Sequence, residues 1–256
     1  MTAGITHLAE VGSTNDWLLA RTAALPDGHW VIADRQTAGR GRRGRVWSDG
    51  SGNLMASVLV QAEGAVQQLS FVAALAVVEA LAEITSRPPN ASVQRLSRLG
   101  SAESDLSRKG RGDFSLKWPN DVLLGGVKCA GILLERQGAA LVIGIGINLA
   151  QHPEATERPA TSLAAAGLPV PRPLEALAVL AQRFADWRTV WQREGFALVR
   201  SAWLGHAAGI GGRMAARLGT ETPEGVFTGL GDDGALLLRL DDGTMRAVHA
   251  GEVFAI

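Results

Sequence analysis

The chain has 256 residues, 46% of them hydrophobic, with 25 Lys+Arg against 25 Asp+Glu and one cysteine. This is enough for one substantial domain and a small one. The zero net charge argues against a protein built mainly to coat nucleic acid, and the lone Cys129 excludes an internal disulfide and fits a reducing cytosol. There is no signal peptide and no run of about eighteen apolar residues, so neither export nor a membrane span is expected. The histidines (His7, His29, His152, His206 and His249) lack metal-ligand spacing, and no structural metal is expected.

Twelve residues precede Ser13, too few for a helix-turn-helix, so no DNA-binding segment is expected. Ser13 or Thr14 caps a helix running on through Asn15, Asp16 and Trp17 to Arg21. Hydroxyls and an amide at a helix start also suit a polar neutral ligand group that carries both donors and acceptors. Trp30 to Ala33 reads as a short strand. Residues 33–47 follow, with Arg35, Arg40, Arg42, Arg43 and Arg45 interleaved with Gly39, Gly41 and Gly44. Arginine supplies a fork of donors for phosphate or carboxylate, and glycine lets the backbone approach a ligand closely. So much like charge predicts a mobile loop that orders around a polyanion. Trp47, just past it, offers a flat face for a base.

Residues 53–60 form an apolar strand, and Gln68 to Ile84 is an apolar helix with Leu69, Val72, Val77, Leu81 and Ile84 at helical spacing. Residues 86–113 break the pattern and read as a flexible insertion, with one short helix near 93–99. Strand 114–117 then ends in Trp118-Pro119-Asn120-Asp121, where the Pro and the Asn-Asp pair favour a turn. A hairpin follows, 122–124 and 127–135 about Gly125-Gly126. Cys129, in its apolar run, reads as a small buried hydrophobe. Strand 139–148 carries Gly144 and Gly146, which signal close backbone approach to something. Thr161 to Ala166 reads as a short capped helix, 174–194 as a long one whose Trp187 and Trp191 serve the core, and 196–203 as another. Short strands at 213–218, 225–230, 235–240 and 245–250, turned at Asp232-Asp233-Gly234 and Asp241-Asp242-Gly243, form a small β-barrel beyond a boundary near 209–212. The fold class is α+β, with a mixed, largely antiparallel sheet and flanking helices.

Taken together and in this order, Ser13-Thr14-Asn15, the Gly39 to Arg45 run, Leu116-Lys117-Trp118-Pro119-Asn120-Asp121 and Gly144-Ile145-Gly146-Ile147-Asn148 resemble biotin protein ligases. The resemblance runs from about Ser13 to the C-terminus. Residues 86–113 depart from it, since the family crosses there with a shorter connection. It implies a class II synthetase-like catalytic domain (1–210) and a small C-terminal β-barrel (211–256). It implies that biotin is activated with ATP and Mg²⁺ to biotinyl-5′-AMP and passed to a lysine of the biotin carboxyl carrier protein of acetyl-CoA carboxylase. By the same resemblance, Ser13, Thr14, Asn15, Gln36, Arg40, Gly41, Arg42 and Lys117 contact biotin or its adenylate, with Lys117 and Arg42 catalytic. Trp47, Lys128 and Asn148 lie on the ATP and adenine side, and no side chain is assigned to a metal. Asp121 keeps two readings, as a turn residue or as a group serving the metal or the acceptor lysine. The implied place is the cytoplasm, without nucleic acid or membrane, and a homodimer is compatible with the pattern.

A carboxylate meeting a triphosphate is repelled, so positioning and charge neutralisation must carry the chemistry, and a cluster of cations suits it. Other classes remain open on the residues. A lipoate or octanoate ligase shares the fold, but the Arg/Gly loop with Ser-Thr-Asn favours biotin. A non-catalytic biotin sensor would not need Lys117. Nucleotidyl transfer through an adenylated lysine usually sits in Lys-x-Asp-Gly, which is lacking around Lys117.

Overall fold

The structure is a computed structural model, and it describes residues 4–47, 51–61, 64–86, 113–154, 158–219 and 221–256. In chain order it has β1 (Ile5–Val11), α1 (Thr14–Leu19), β2 (Trp30–Gln36), β3 (Leu54–Gln61), α2 (Leu69–Ser86), β4 (Phe114–Lys117), β5 (Asp121–Leu124), β6 (Val127–Gln137), β7 (Ala140–Ile147), α3 (Pro173–Glu194) and α4 (Phe196–Gly205). A second group follows: β8 (Arg213–Arg217), β9 (Glu224–Leu230), β10 (Leu236–Arg239), β11 (Met245–Val248) and β12 (Glu252–Ala255). The large sheet has the order β1-β2-β3-β7-β6-β5-β4. Among the described strands only the β1–β2 pair is parallel; the other pairs are antiparallel, as expected of a mixed sheet.

Alternation along the central strands decides what each face does. Leu54, Ala56, Val58 and Val60 of β3 and Ile143, Ile145 and Ile147 of β7 join the main core with α2, α3 and α4. Val31, Leu59 and Val142 point the opposite way and pack with Leu18 of α1. Ser57, Gly144 and Gly146 share the parity of this second face, so the polar and the small residues of the central strands lie together under α1.

Helix α2 is apolar nearly all round because it is covered on several sides, by the sheet, α3 and α4. Burying each of Leu69, Leu75 and Leu81 contributes about 1.5–3 kcal/mol. The segment 66–86 has a mean hydropathy of 1.7 and is long and apolar enough by composition to cross a membrane, although Gln67, Gln68, Ser70, Glu79 and Glu83 interrupt it and leave no run of eighteen apolar residues. It is a core helix here, 72% buried.

Some expectations change. Thr161 to Ala166 is a turn. Ser162 Oγ accepts from the Ala165 N–H, but Gly167, at φ 68, ends the bend before a helix can propagate. Trp187 and Trp191, by contrast, do pack against the core as expected, half-buried at its edge, and Trp191 Nε1 donates to Gln68 Oε1 at 2.8 Å. The C-terminal strands form an open five-stranded antiparallel sheet, β11-β10-β9-β8-β12, and no pairing joins β11 to β12 among the described residues. Two strands went unread: β1, a half-exposed edge paired with β2, and β12, which pairs back to β8 with no hairpin to announce it. Residues 87–112, the bulk of the expected insertion with its short helix, lie outside the described residues.

The second sheet is docked against the first through the same core, to which Phe227, Leu236, Leu238 and Val253 contribute. Trp118 Nε1 donates to Gly234 O at 3.0 Å, which brings the C-terminal turns beside the Trp118–Asn120 turn.

Candidate active site

On the α1 face, register places small residues in rows. Ser57 pairs with Gly144 and Gly144 with Leu133; one row along, Met55 pairs with Gly146 and Gly146 with Gly131. The rows are two residues, or about 7 Å, apart. Each glycine leaves room for a specific side chain. A Cβ on Gly144 would strike Asn15 Oδ1, and one on Gly146 would strike the Trp47 ring at Cε2 and Cζ2. A Cβ on Gly131 would meet Trp47 Cζ3 at 3.0 Å. The close approach signalled by these glycines is thus to Asn15 and Trp47 of the same chain.

The Asn15 row is polar and tightly specified. Ser13 caps α1, its Oγ accepting from Asp16 N–H at 3.4 Å. Ser57 Oγ donates to Asn15 Oδ1 at 2.6 Å and lies 2.7 Å from Thr14 Oγ1. Gln36 Oε1 accepts from both the Thr14 N–H and its hydroxyl, at 2.7 and 3.0 Å. Asn15 Nδ2 donates to Glu135 Oε2 at 2.6 Å. Ser13, Thr14, Asn15, Gln36 and Ser57 are all buried. Ser57 and Glu135 escaped the sequence reading. Their signal was present, a hydroxyl inside the apolar run of β3 and a carboxylate on the alternating face of β6.

The Arg/Gly loop is not left without partners. Arg40 donates to both oxygens of Asp16 at 2.6 Å and to Glu135 at 3.2 Å. Arg40 thereby holds the Asp16 carboxyl below its ordinary value. Arg42 donates to Asn120 Oδ1 at 3.2 Å and to Gly251 O at 3.5 Å. Arg45 pairs with Glu252 at 2.6 Å. The expectation that this charge cannot pack without a polyanion is corrected: the chain's own acids and carbonyls answer it, and two of those partners lie just before or in β12. Gly41 N–H donates to Arg45 O at 2.7 Å, closing the loop on itself.

Lys117 and Asp121 face each other at the β4–β5 turn, and Lys128 Nζ reaches Asp121 Oδ1 at 2.6 Å. Burial, and then the nearby Arg158, push the Lys117 ammonium below its ordinary value. Burial lowers Arg42 as well. A desolvated cation without full compensation favours an incoming anion. Asn120 Nδ2 donates to Ile132 O at 2.6 Å, which locks the turn onto β6. Lys128 also lies 5.8 Å from the Trp47 ring centroid. Asn148 is engaged structurally, its Nδ2 donating to Thr161 O at 3.0 Å.

All of Ser13, Thr14, Asn15, Gln36, Arg40, Gly41, Arg42, Trp47, Lys117, Lys128 and Asn148 line one cavity of about 550 Å³. The sequence did not point to Arg158, Gly251 and Glu252, which line it too. The cavity has uncharged donors and acceptors at the Asn15 row, an aromatic ring one row along, and cations beside them. Cys129, on β6, is buried in the main core, its thiol pushed up to about 12, which makes it a poor nucleophile.

The match to known proteins follows this layout. The biotin/lipoate A/B protein ligase family model matches residues 8–150, and the biotin protein ligase C-terminal domain model matches 209–255. The chain belongs to the biotin protein ligase family. A biotin–[acetyl-CoA-carboxylase] ligase of Paracoccus denitrificans is 39% identical over 96% of this chain and 98% of its own length. One from Mycobacterium tuberculosis is 34% identical, over 96% and 86%. The biotin protein ligase of Aquifex aeolicus, solved in complex with biotin and ATP, superposes with a TM-score of 0.79 at 28% identity, covering 99% of each chain. The family's two models leave between them the stretch that holds α3 and α4, which in this chain supply core rather than cavity.

Proposed function

We propose that this chain is an ATP-dependent biotin ligase. It forms biotinyl-5′-AMP and transfers the biotinyl group to a lysine of a biotin carboxyl carrier protein of acetyl-CoA carboxylase. The observation that carries the reading is the union, on one sheet face, of a buried uncharged donor–acceptor row with a cluster of desolvated cations. The Paracoccus and Mycobacterium ligases and the Aquifex complex with biotin and ATP support it.

Biotin's ureido ring offers one carbonyl and two N–H groups, which the Ser13–Asn15 and Gln36 groups can pair. Its carboxylate is a poor acyl donor. A carboxylate oxygen attacks the α-phosphorus, and the P–O bond to pyrophosphate breaks, pyrophosphate taking the electron pair. Lys117 and Arg42 neutralise the charge that gathers between the two anions. Trp47 and Lys128 hold the nucleotide end. Among the described residues, no cluster of three or more His, Cys, Asp or Glu side chains is placed to hold a metal, and Asp121 is engaged by Lys128. That donor set fits a Mg²⁺ carried on the triphosphate, where it would offset phosphate charge. The Arg/Gly loop, tethered to Asn120, Gly251 and Glu252, shields the mixed anhydride from water.

A lipoate or octanoate ligase is the second reading. Their acyl ends carry no N–H donors or carbonyl acceptor and would set an apolar surface against the polar Ser13–Asn15 and Gln36 row, which disfavours them. Neither nucleic acid nor membrane has a part in this reading. It places the protein in the cytoplasm, allows a homodimer, and assigns residues 1–210 to catalysis and 211–256 to a domain that closes over the loop. The test is pyrophosphate release with ATP and Mg²⁺, with biotin, lipoate or octanoate as the only acid. Release with biotin alone is expected; release with lipoate or octanoate alone refutes the assignment.

A further inference from the structure

The cavity that holds Arg42 has a neighbour. A second cavity, about 290 Å³, shares with it a wall made by Arg42, the Trp118–Asn120 turn and Ile132–Leu133. Its other walls come from the start of α2 and from two turns of the C-terminal sheet. Its lining is amphipathic. Phe71, Trp118, Pro119, Leu134 and Ala235 provide apolar surface, while Asp233 and His249 supply a carboxylate and an imidazole, 3.3 Å apart. Asp233 is held in place, its Oδ1 accepting from the Ala235 N–H at 2.9 Å. The His249 side chain is 64% exposed, so this pair faces solvent, while Arg42 stands on the shared wall. Residue 249 is two positions from Gly251, whose carbonyl accepts from Arg42.

We propose that this second cavity is the port through which the acceptor lysine of the carrier reaches the acyl-adenylate. The inference rests on the ligase reading and adds to it the route and the proton acceptor of the transfer step. A lysine side chain is an apolar stem with a cationic tip. The stem matches the apolar walls. The tip is drawn to the Asp233 carboxylate at the solvent side and repelled by Arg42 further in. That gradient strips the proton where it must be lost, since only the neutral amine attacks.

The step balances as follows. The lysine ammonium gives one proton to the His249 imidazole, which lies 3.3 Å from the Asp233 carboxylate. The amine lone pair forms the N–C bond to the acyl carbon. The bond between that carbon and the phosphate oxygen breaks, and its electron pair leaves with AMP. The nitrogen sheds a second proton to solvent as the amide forms.

Two variants of the full-length chain test this. Gln67→Trp places a bulky side chain on an exposed rim position of the port, and His249→Gln removes the proton acceptor from an exposed site. Three rates are measured with biotin, ATP and Mg²⁺: pyrophosphate release without carrier, capture of the adenylate by hydroxylamine, and biotinyl transfer to a purified carrier domain. Both variants are expected to keep the first two rates and to lose transfer to the carrier by tenfold or more. Loss in Gln67→Trp alone supports the port and overturns the role of His249. Wild-type transfer in both variants overturns the proposal. A wild-type chain that releases no pyrophosphate with biotin overturns the ligase reading as well, and is told apart because it fails before any carrier is added.

Discussion

The two glycines of β7 allow a paired perturbation with separable outcomes. Gly144→Ala drives a methyl group into Asn15 Oδ1, and Gly146→Ala drives one into the Trp47 ring. Neither glycine has a positive φ, so the backbone accepts alanine and the collision falls on the facing side chain. Displacing Asn15 breaks its bonds to Ser57 and to the Glu135 carboxylate, each 2.6 Å long. A neutral bond contributes about 0.5–1.5 kcal/mol and one to a charged group about 1.5–3, so the loss is about 2–4.5 kcal/mol. It divides between folding and ligand binding. A folding share of about 1–2 kcal/mol lowers Tm by roughly 2–8 °C, and the remainder of about 1–2.5 kcal/mol raises the KM for biotin roughly 5–70-fold. Trp47 sits on a loop and can swing away with little change in Tm. What it forfeits is base stacking, about 1–3 kcal/mol, which raises the KM for ATP roughly 5–150-fold. The assay is steady-state pyrophosphate release, titrating each substrate with the other saturating, beside a thermal melt. If Gly144→Ala raises the KM for ATP, or Gly146→Ala that for biotin, the two rows have been assigned wrongly.

Three further outcomes follow from the same geometry. Ser57→Ala leaves the buried Asn15 Oδ1 without its donor, which costs about 1–3 kcal/mol, and should raise the KM for biotin at least several-fold while the KM for ATP holds in the same titrations. Arg42→Gly removes the bonds to Asn120 and Gly251, so adenylate should appear free in solution in a rapid-filtration assay; retention at the wild-type level would contradict the shielding role. The third concerns pH. Burial lowers the Lys117 pKa from its ordinary 10.5, so its charged form is present below that lowered value and is lost as pH rises through it. The rate of pyrophosphate release should therefore fall on an alkaline limb set below 10.5, and Lys117→Arg should move the limb upward. For stability the sign is opposite: the folded chain binds this proton less tightly than the unfolded one, so its contribution to stability rises with pH across the same window.

The order of helices and strands was legible wherever periodicity ran long, as in α2, α3, β3 and β7. Lys117, Trp47 and the Ser13–Asn15 run were legible as motifs because their residues are consecutive or lie in a short unusual run. Gly144 and Gly146 announced a close approach but not its partner, since a glycine records only the absence of a side chain. Ser57, Glu135 and Glu252 stayed hidden for a different reason. Their partners lie 42, 120 and 207 residues away, and only the folded register brings them together. The Arg/Gly loop was misjudged on the same ground, because local charge density says nothing about carboxylates arriving from α1, β6 and β12. The C-terminal barrel was inferred from turn signals, which locate hairpins but do not say whether a sheet closes.

Ligase activity is tested most directly by the mass of a purified biotin carboxyl carrier domain after incubation with this chain, biotin, ATP and Mg²⁺. A gain of one biotinyl group on a single lysine, absent without ATP and lost in Lys117→Met, is the predicted result. An unmodified carrier, in a reaction where the chain binds biotin tightly but releases no pyrophosphate, would contradict it and make the cavity a sensor rather than a catalyst.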